Sequence, residues 1–265
     1  MRLRTSTPRR IAVAGIALAT AAALTACTSD AEEGETTADT GPETSETSEA
    51  AEGVSDELPA TPVGDLLLGE GEAPGEGVIQ RLDPETLRPA VDRLVENQGR
   101  ELMQDPACDT VSRQEAINNY VATEAPMSAI SYKQSEEDET VHTFGVALLS
   151  KRLDGFLDRS LFEACTTSRS ATNENLELIM TVSDAPAIPG TEGFRVTSDF
   201  VTTDEAGNRA VNRTVIVHGY ARGTTTSVEY TAAGTDPAAD PVLPEANNAI
   251  DEIYKAQMTK LLDAE

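Results

Sequence analysis

Three cysteines and two histidines are the side chains best equipped for chemistry in this chain of 265 residues. Cys27 follows Leu24, Thr25 and Ala26 at the end of an apolar stretch. Setting it aside leaves Cys108 and Cys165, an even number, which are expected to pair in an oxidising compartment. The loop so closed contributes about 4 kcal/mol in the chain-entropy picture. Two buried free thiols are the alternative. A zinc site is a poorer reading, because neither cysteine has a Cys-x-x-Cys partner or a nearby histidine. His142 opens an apolar strand pattern and His218 shares a side with Ile216 and Tyr220, so both read as structural. Glu136, Glu137, Asp138 and Glu139 offer carboxylates but lack the alternating ligands and turn glycine of a calcium loop, so they read as a solvated hairpin tip. Gly-x-Ser-x-Gly, Ser-x-x-Lys, phosphate-loop and dinucleotide motifs are absent. No catalytic residue, cofactor or metal is therefore expected, and the chain reads as a non-enzyme.

The residues that must position Cys27 form a leader. Arg2, Arg4, Arg9 and Arg10 make a basic head, and residues 11–23 are uncharged and end in small side chains. This is a secretory signal pattern, shorter than the roughly 18 to 20 residues of a membrane-spanning helix. Leu24-Thr-Ala-Cys27 resembles a bacterial lipobox. That resemblance implies a lipid on the Cys27 thiol and removal of residues 1–26 as a lipoprotein signal peptide. An ordinary signal peptide cut near the same site, leaving Cys27 a plain thiol, is the alternative. Two acyl chains suffice for stable anchoring, at roughly 0.8 kcal/mol for each buried methylene. The expected location is the extracytoplasmic face of the cell membrane.

Loss of the leader takes the formal charge from -26 to -30. Residues 28–57 carry eleven Asp or Glu and no Lys or Arg, with almost no large apolar side chain. Such a segment cannot bury enough surface to offset its ordering entropy, so residues 27–57 read as an acidic disordered tether. The strong negative charge excludes nucleic acid as a partner, since phosphate binding needs clustered Lys and Arg. Residues 58–265 are long enough for one domain with a real core, expected to be monomeric.

Within that domain, apolar residues at helical spacing predict helices over residues 88–103, 112–121, 151–164 and 245–262. Leu66, Leu67 and Leu68 read as a short docking strand. Alternation predicts strands over residues 129–134 and 140–149 and around 176–182, 194–200, 211–217 and 228–230. Turn signals at residues 204–208 and at Arg222-Gly223 make successive strands antiparallel. The expected fold is α+β, an antiparallel sheet of five or six strands covered on one face by two or three helices.

From about Leu66 onward the layout resembles the PknH-like extracellular sensor domains of actinobacteria. The residues behind this are Asp105-Pro-Ala-Cys108 after a first helix, Phe162-Glu-Ala-Cys165 ending another, residues 211–220 as a strand, and the closing amphipathic helix. The chain departs from that pattern in having no Trp and no second cysteine pair in the domain. The resemblance implies an antiparallel sheet with a ligand cleft and carries over no catalytic residue; the ligand expected on the function reading is a small molecule, lipid or envelope polymer. The functional expectation is a lipid-anchored, non-catalytic ligand-binding or sensor-type module. An envelope protein that docks a protein partner is the alternative, and a hydrolase comes third.

Overall fold

Alternating apolar side chains dominate the second half of the chain, and there the backbone builds sheet. The computed structural model describes residues 54–83, 102–122, 125–133, 141–234, 242 and 244–265. Its strands are β1 (Val78–Leu82), β2 (Met127–Lys133), β3 (Val141–Leu149), β4 (Thr167–Arg169), β5 (Leu176–Asp184), β6 (Glu192–Thr203), β7 (Arg209–Ala221) and β8 (Thr224–Gly234). They form one sheet of eight in the order β1-β2-β3-β8-β7-β6-β5-β4, antiparallel throughout. After β3 the chain runs to the far edge and returns strand by strand until β8 pairs with β3. The fold is α+β, and its sheet exceeds the expected five or six strands by its two edges. β1 lacks clean alternation, and β4 is only three residues long.

Turn chemistry fixes the register. At the β7–β8 connection Arg222 and Gly223 both take positive φ, 46° and 66°, the conformation a two-residue hairpin turn demands. Between β6 and β7 the Asp204 carboxylate accepts from the backbone N–H of Ala206 and Asn208.

Helices among the described residues are α1 (Val63–Leu66), α2 (Pro106–Ala122), α3 (Asp154–Leu157), α4 (Arg159–Glu163) and α5 (Pro244–Leu262). α5 lays Ile250, Ile253, Tyr254, Met258 and Leu261 on Val215, Val217, Val228 and Phe144. Its Tyr254 ring sits over the paired glycines Gly193 and Gly219, where a Cβ on Gly219 would lie 2.5 Å from the Tyr254 hydroxyl. The opposite parity, Leu178, Met180, Phe194 and Val196, meets Cys108 and Val111 of α2 and Phe162 of α4. Helices therefore cover both faces, not one, because the central strands turn apolar residues both ways, Val215 and Val217 to one face and Phe194, Val196 and Ile216 to the other.

Local structure also departs from the pattern reading. Leu66–Leu68 is no strand: α1 ends there, and Gln257 Nε2 donates to Leu66 O (2.8 Å) while its Oε1 accepts from Leu68 N (3.1 Å). All three leucines are buried. α2 starts six residues earlier than the apolar spacing suggests. Asp105 caps it, accepting from Ala107 N and Cys108 N, and Pro106 takes the first helical position. The expected helix over residues 151–164 divides at Asp158, which leaves helical geometry (ψ 85°) and caps α4 by accepting from Leu161 N. Of the expected helix over residues 88–103, residues 88–101 lie outside the described residues, and Met103 forms a β-bridge with Ser170.

Both ends of the described chain meet at the β7–β8 turn. Gly223 N donates to Ser55 O, and the Tyr220 hydroxyl donates to Asp56. Ala60 N donates to Glu265 O, and Arg222 donates to Ala264 O.

Candidate functional site

The cysteines and histidines have structural surroundings. Cys108 and Cys165 are buried with their sulfurs 2.07 Å apart, a disulfide joining the first turns of α2 to the end of α4. Cys27 and the acidic residues 136–139 lie outside the described residues. His142 Nδ1 contacts the Tyr230 hydroxyl at 2.5 Å beneath α5. His218 is enclosed by Phe156, Phe162 and Phe194, with ring centroids 4.3, 5.6 and 5.3 Å away. Neither of its nitrogens has a hydrogen-bond partner among the described residues, and burial lowers its pKa to about 3. At neutral pH it is an uncharged ring sealed from solvent, unsuited to proton transfer with a substrate.

Polar chemistry concentrates elsewhere, on the sheet face opposite α5. Toward the β7–β8 turn that face is closed and apolar around Phe194, His218, Ala147 and Leu149. Further along the strands it changes character. Gly145, Glu229 and Ile216 stand side by side on β3, β8 and β7. The next row on this face carries hydroxyls: Ser131 and Thr143 are 3.2 Å apart, as are Thr214 and Thr231. Ser198, opposite Thr214, extends the row onto β6. Its hydroxyl is buried and makes no hydrogen bond among the described residues.

Glu229 brings a charge to the middle of this surface, and its carboxylate has no hydrogen bond or ion pair with any described residue. Burial pushes its carboxyl above the usual carboxylate range, yet part of the residue stays accessible. A group that is desolvated and still reached by solvent lines a recess. Its neighbour Gly145 fits this, since a Cβ built there would meet no described atom within 4 Å. α2 packs its first turns on the apolar half of the face and comes close to β3. In the sequence, Val228-Glu-Tyr230 looks like an ordinary solvent-facing position in an alternating strand.

A second hollow, of about 510 Å³, lies between α5 and residues 68–74. Most of its charges are matched, since Lys260 Nζ donates to Glu72 and to Leu67 O and Lys255 pairs with Glu252, which leaves the Asp263 carboxylate without a partner among the described residues.

Among the described residues, no group of three or more His, Cys, Asp or Glu is placed to hold a metal ion. None of their helices is long and apolar enough to cross a membrane. Neither the protein-family models nor the curated proteins give a match to this chain.

Proposed function

We propose that this chain is a membrane-anchored lipoprotein whose extracytoplasmic α+β domain binds a ligand without transforming it. The observation that carries the binding role is the open space at Gly145 beside the Glu229 carboxyl, which has no partner among the described residues, next to a row of hydroxyls paired only with one another. Buried polar groups cost free energy unless they are paired, so such an arrangement is stabilised by a bound molecule that completes it. The anchor rests on the basic head, the apolar run and Leu24-Thr-Ala-Cys27. The partner-docking alternative draws less support. The exposed large apolar residues among those described, Leu58, Val78 and Ile179, are scattered and form no patch.

Two measurements test this reading. Intact mass of the protein taken from its own envelope is expected to be higher under native than denaturing conditions by a discrete amount. Equal masses would count against a tightly held ligand. Cys27→Ala is expected to abolish membrane retention or block maturation, and unchanged retention without detergent would refute the anchor.

A further inference from the structure

We infer that the recess takes a small monovalent organic cation, with its ammonium group on Glu229 and its polar remainder along the hydroxyl row. This rests on the binding-module reading and names its ligand class. Glu229 supplies one carboxylate at the middle of the sheet, flanked by Gly145, whose missing side chain leaves room, and by Ile216. Ser131, Thr143, Thr214 and Thr231 add hydroxyls that donate or accept but bear no charge.

That donor set discriminates among ligands. A divalent ion takes six to eight oxygens, usually from several carboxylates, and no such group exists among the described residues. An ammonium needs a single counter-charge and a few acceptors, which is what this surface holds. An anion would face an unpaired carboxylate and a chain of formal charge -26. Ser198, buried on the same face, continues the row onto β6 with a hydroxyl that makes no hydrogen bond among the described residues.

The test uses the full chain in detergent with 4-aminobutan-1-ol as probe. Butane-1,4-diol is the uncharged match and calcium chloride the divalent control. Amide resonances of Gly145, Glu229, Thr143 and Thr231 are followed by nuclear magnetic resonance. The amino alcohol is expected to shift them saturably, while the diol and calcium leave them in place. Glu229→Gln is expected to weaken the amino alcohol at least tenfold while keeping the fold, judged by an undiminished unfolding midpoint. Equal response to the diol, or saturation by calcium, would overturn the cation assignment. So would amino-alcohol binding that Glu229→Gln leaves unchanged. A lowered midpoint in Glu229→Gln would assign the carboxylate a partner within the chain and also overturn it. No amino-alcohol response alongside a discrete native mass excess would sink the cation class and leave the binding module standing. No response and no mass excess would remove both.

Discussion

The two faces of the sheet bury similar strands to different ends. Beneath α5, Val215, Val217, Val228 and Phe144 meet a continuous apolar stripe; Gln257 holds the Leu66–Leu68 backbone and His142 meets Tyr230, while the hydroxyls of Ser128 and Thr226 are buried there with no hydrogen-bond partner among the described residues. On the other face a disulfide and three phenylalanines close one half, while the other half presents hydroxyls and an unpaired carboxyl. The first face spends its surface on stability. The second is divided between a staple, which holds α2 and α4 over its apolar half, and an opening.

Breaking the staple has the largest expected effect. Cys165→Ala should cost about 4 kcal/mol by releasing the loop between the cysteines, read as a lower urea midpoint. A loss near zero would mean that α2 is held by packing alone. On the other face, Ile253→Ala removes a fully buried side chain and should cost about 3 kcal/mol, within the 2 to 5 usual for such changes. An effect under about 1 kcal/mol would show that the α5 face is not the close-packed one.

Acid sharpens the contrast within the second face. His218 has its folded pKa lowered to about 3 from 6.5, so the unfolded chain binds the extra proton between those values. Its contribution is fully present above pH 6.5 and is lost as pH falls toward 3, at about 1.4 kcal/mol per pH unit. Denaturation midpoints measured between pH 7 and 5 should fall in the parent and less steeply in His218→Phe. Parallel curves would rule out His218 as the source.

Glu229 acts with the opposite sign and gives the smallest expected change. Its folded pKa is raised above 4.5, so ionisation at neutral pH costs stability that is regained as the solution becomes acid. Glu229→Gln should therefore raise the ligand-free unfolding midpoint at pH 7. The gain should vanish below pH 4.5, where parent and variant are both uncharged at this position.

Much of this architecture is written locally. Alternation in residues such as Leu176, Leu178, Met180 and Val182 marks β5, and the turn residues at 204–208 and 222–223 set antiparallel pairing. What escapes pattern reading depends on partners far away in sequence. Leu66–Leu68 satisfies strand and helix templates equally, and the side chain that decides, Gln257, lies about 190 positions away. β4 has no apolar pattern and exists because β5 offers it an edge. The start of α2 was set by the capping of Asp105 and Pro106 and not by apolar spacing, which is why periodicity placed it too late. Glu229 gave no warning for the same reason: a carboxylate between Val228 and Tyr230 reads as solvent-facing, and its burial comes from chain distant in sequence.

The meeting of both chain ends at the β7–β8 turn has a mechanical consequence. A pull on the segment before Val54 reaches the fold through Ser55 at Gly223 and Asp56 at Tyr220, with Ala60 fastened to the last residue behind α5. The load enters two long central strands and the end of the longest described helix. Tension is thus shared by the sheet's interior hydrogen bonds, and the short edges β1 and β4 are spared from being unzipped first.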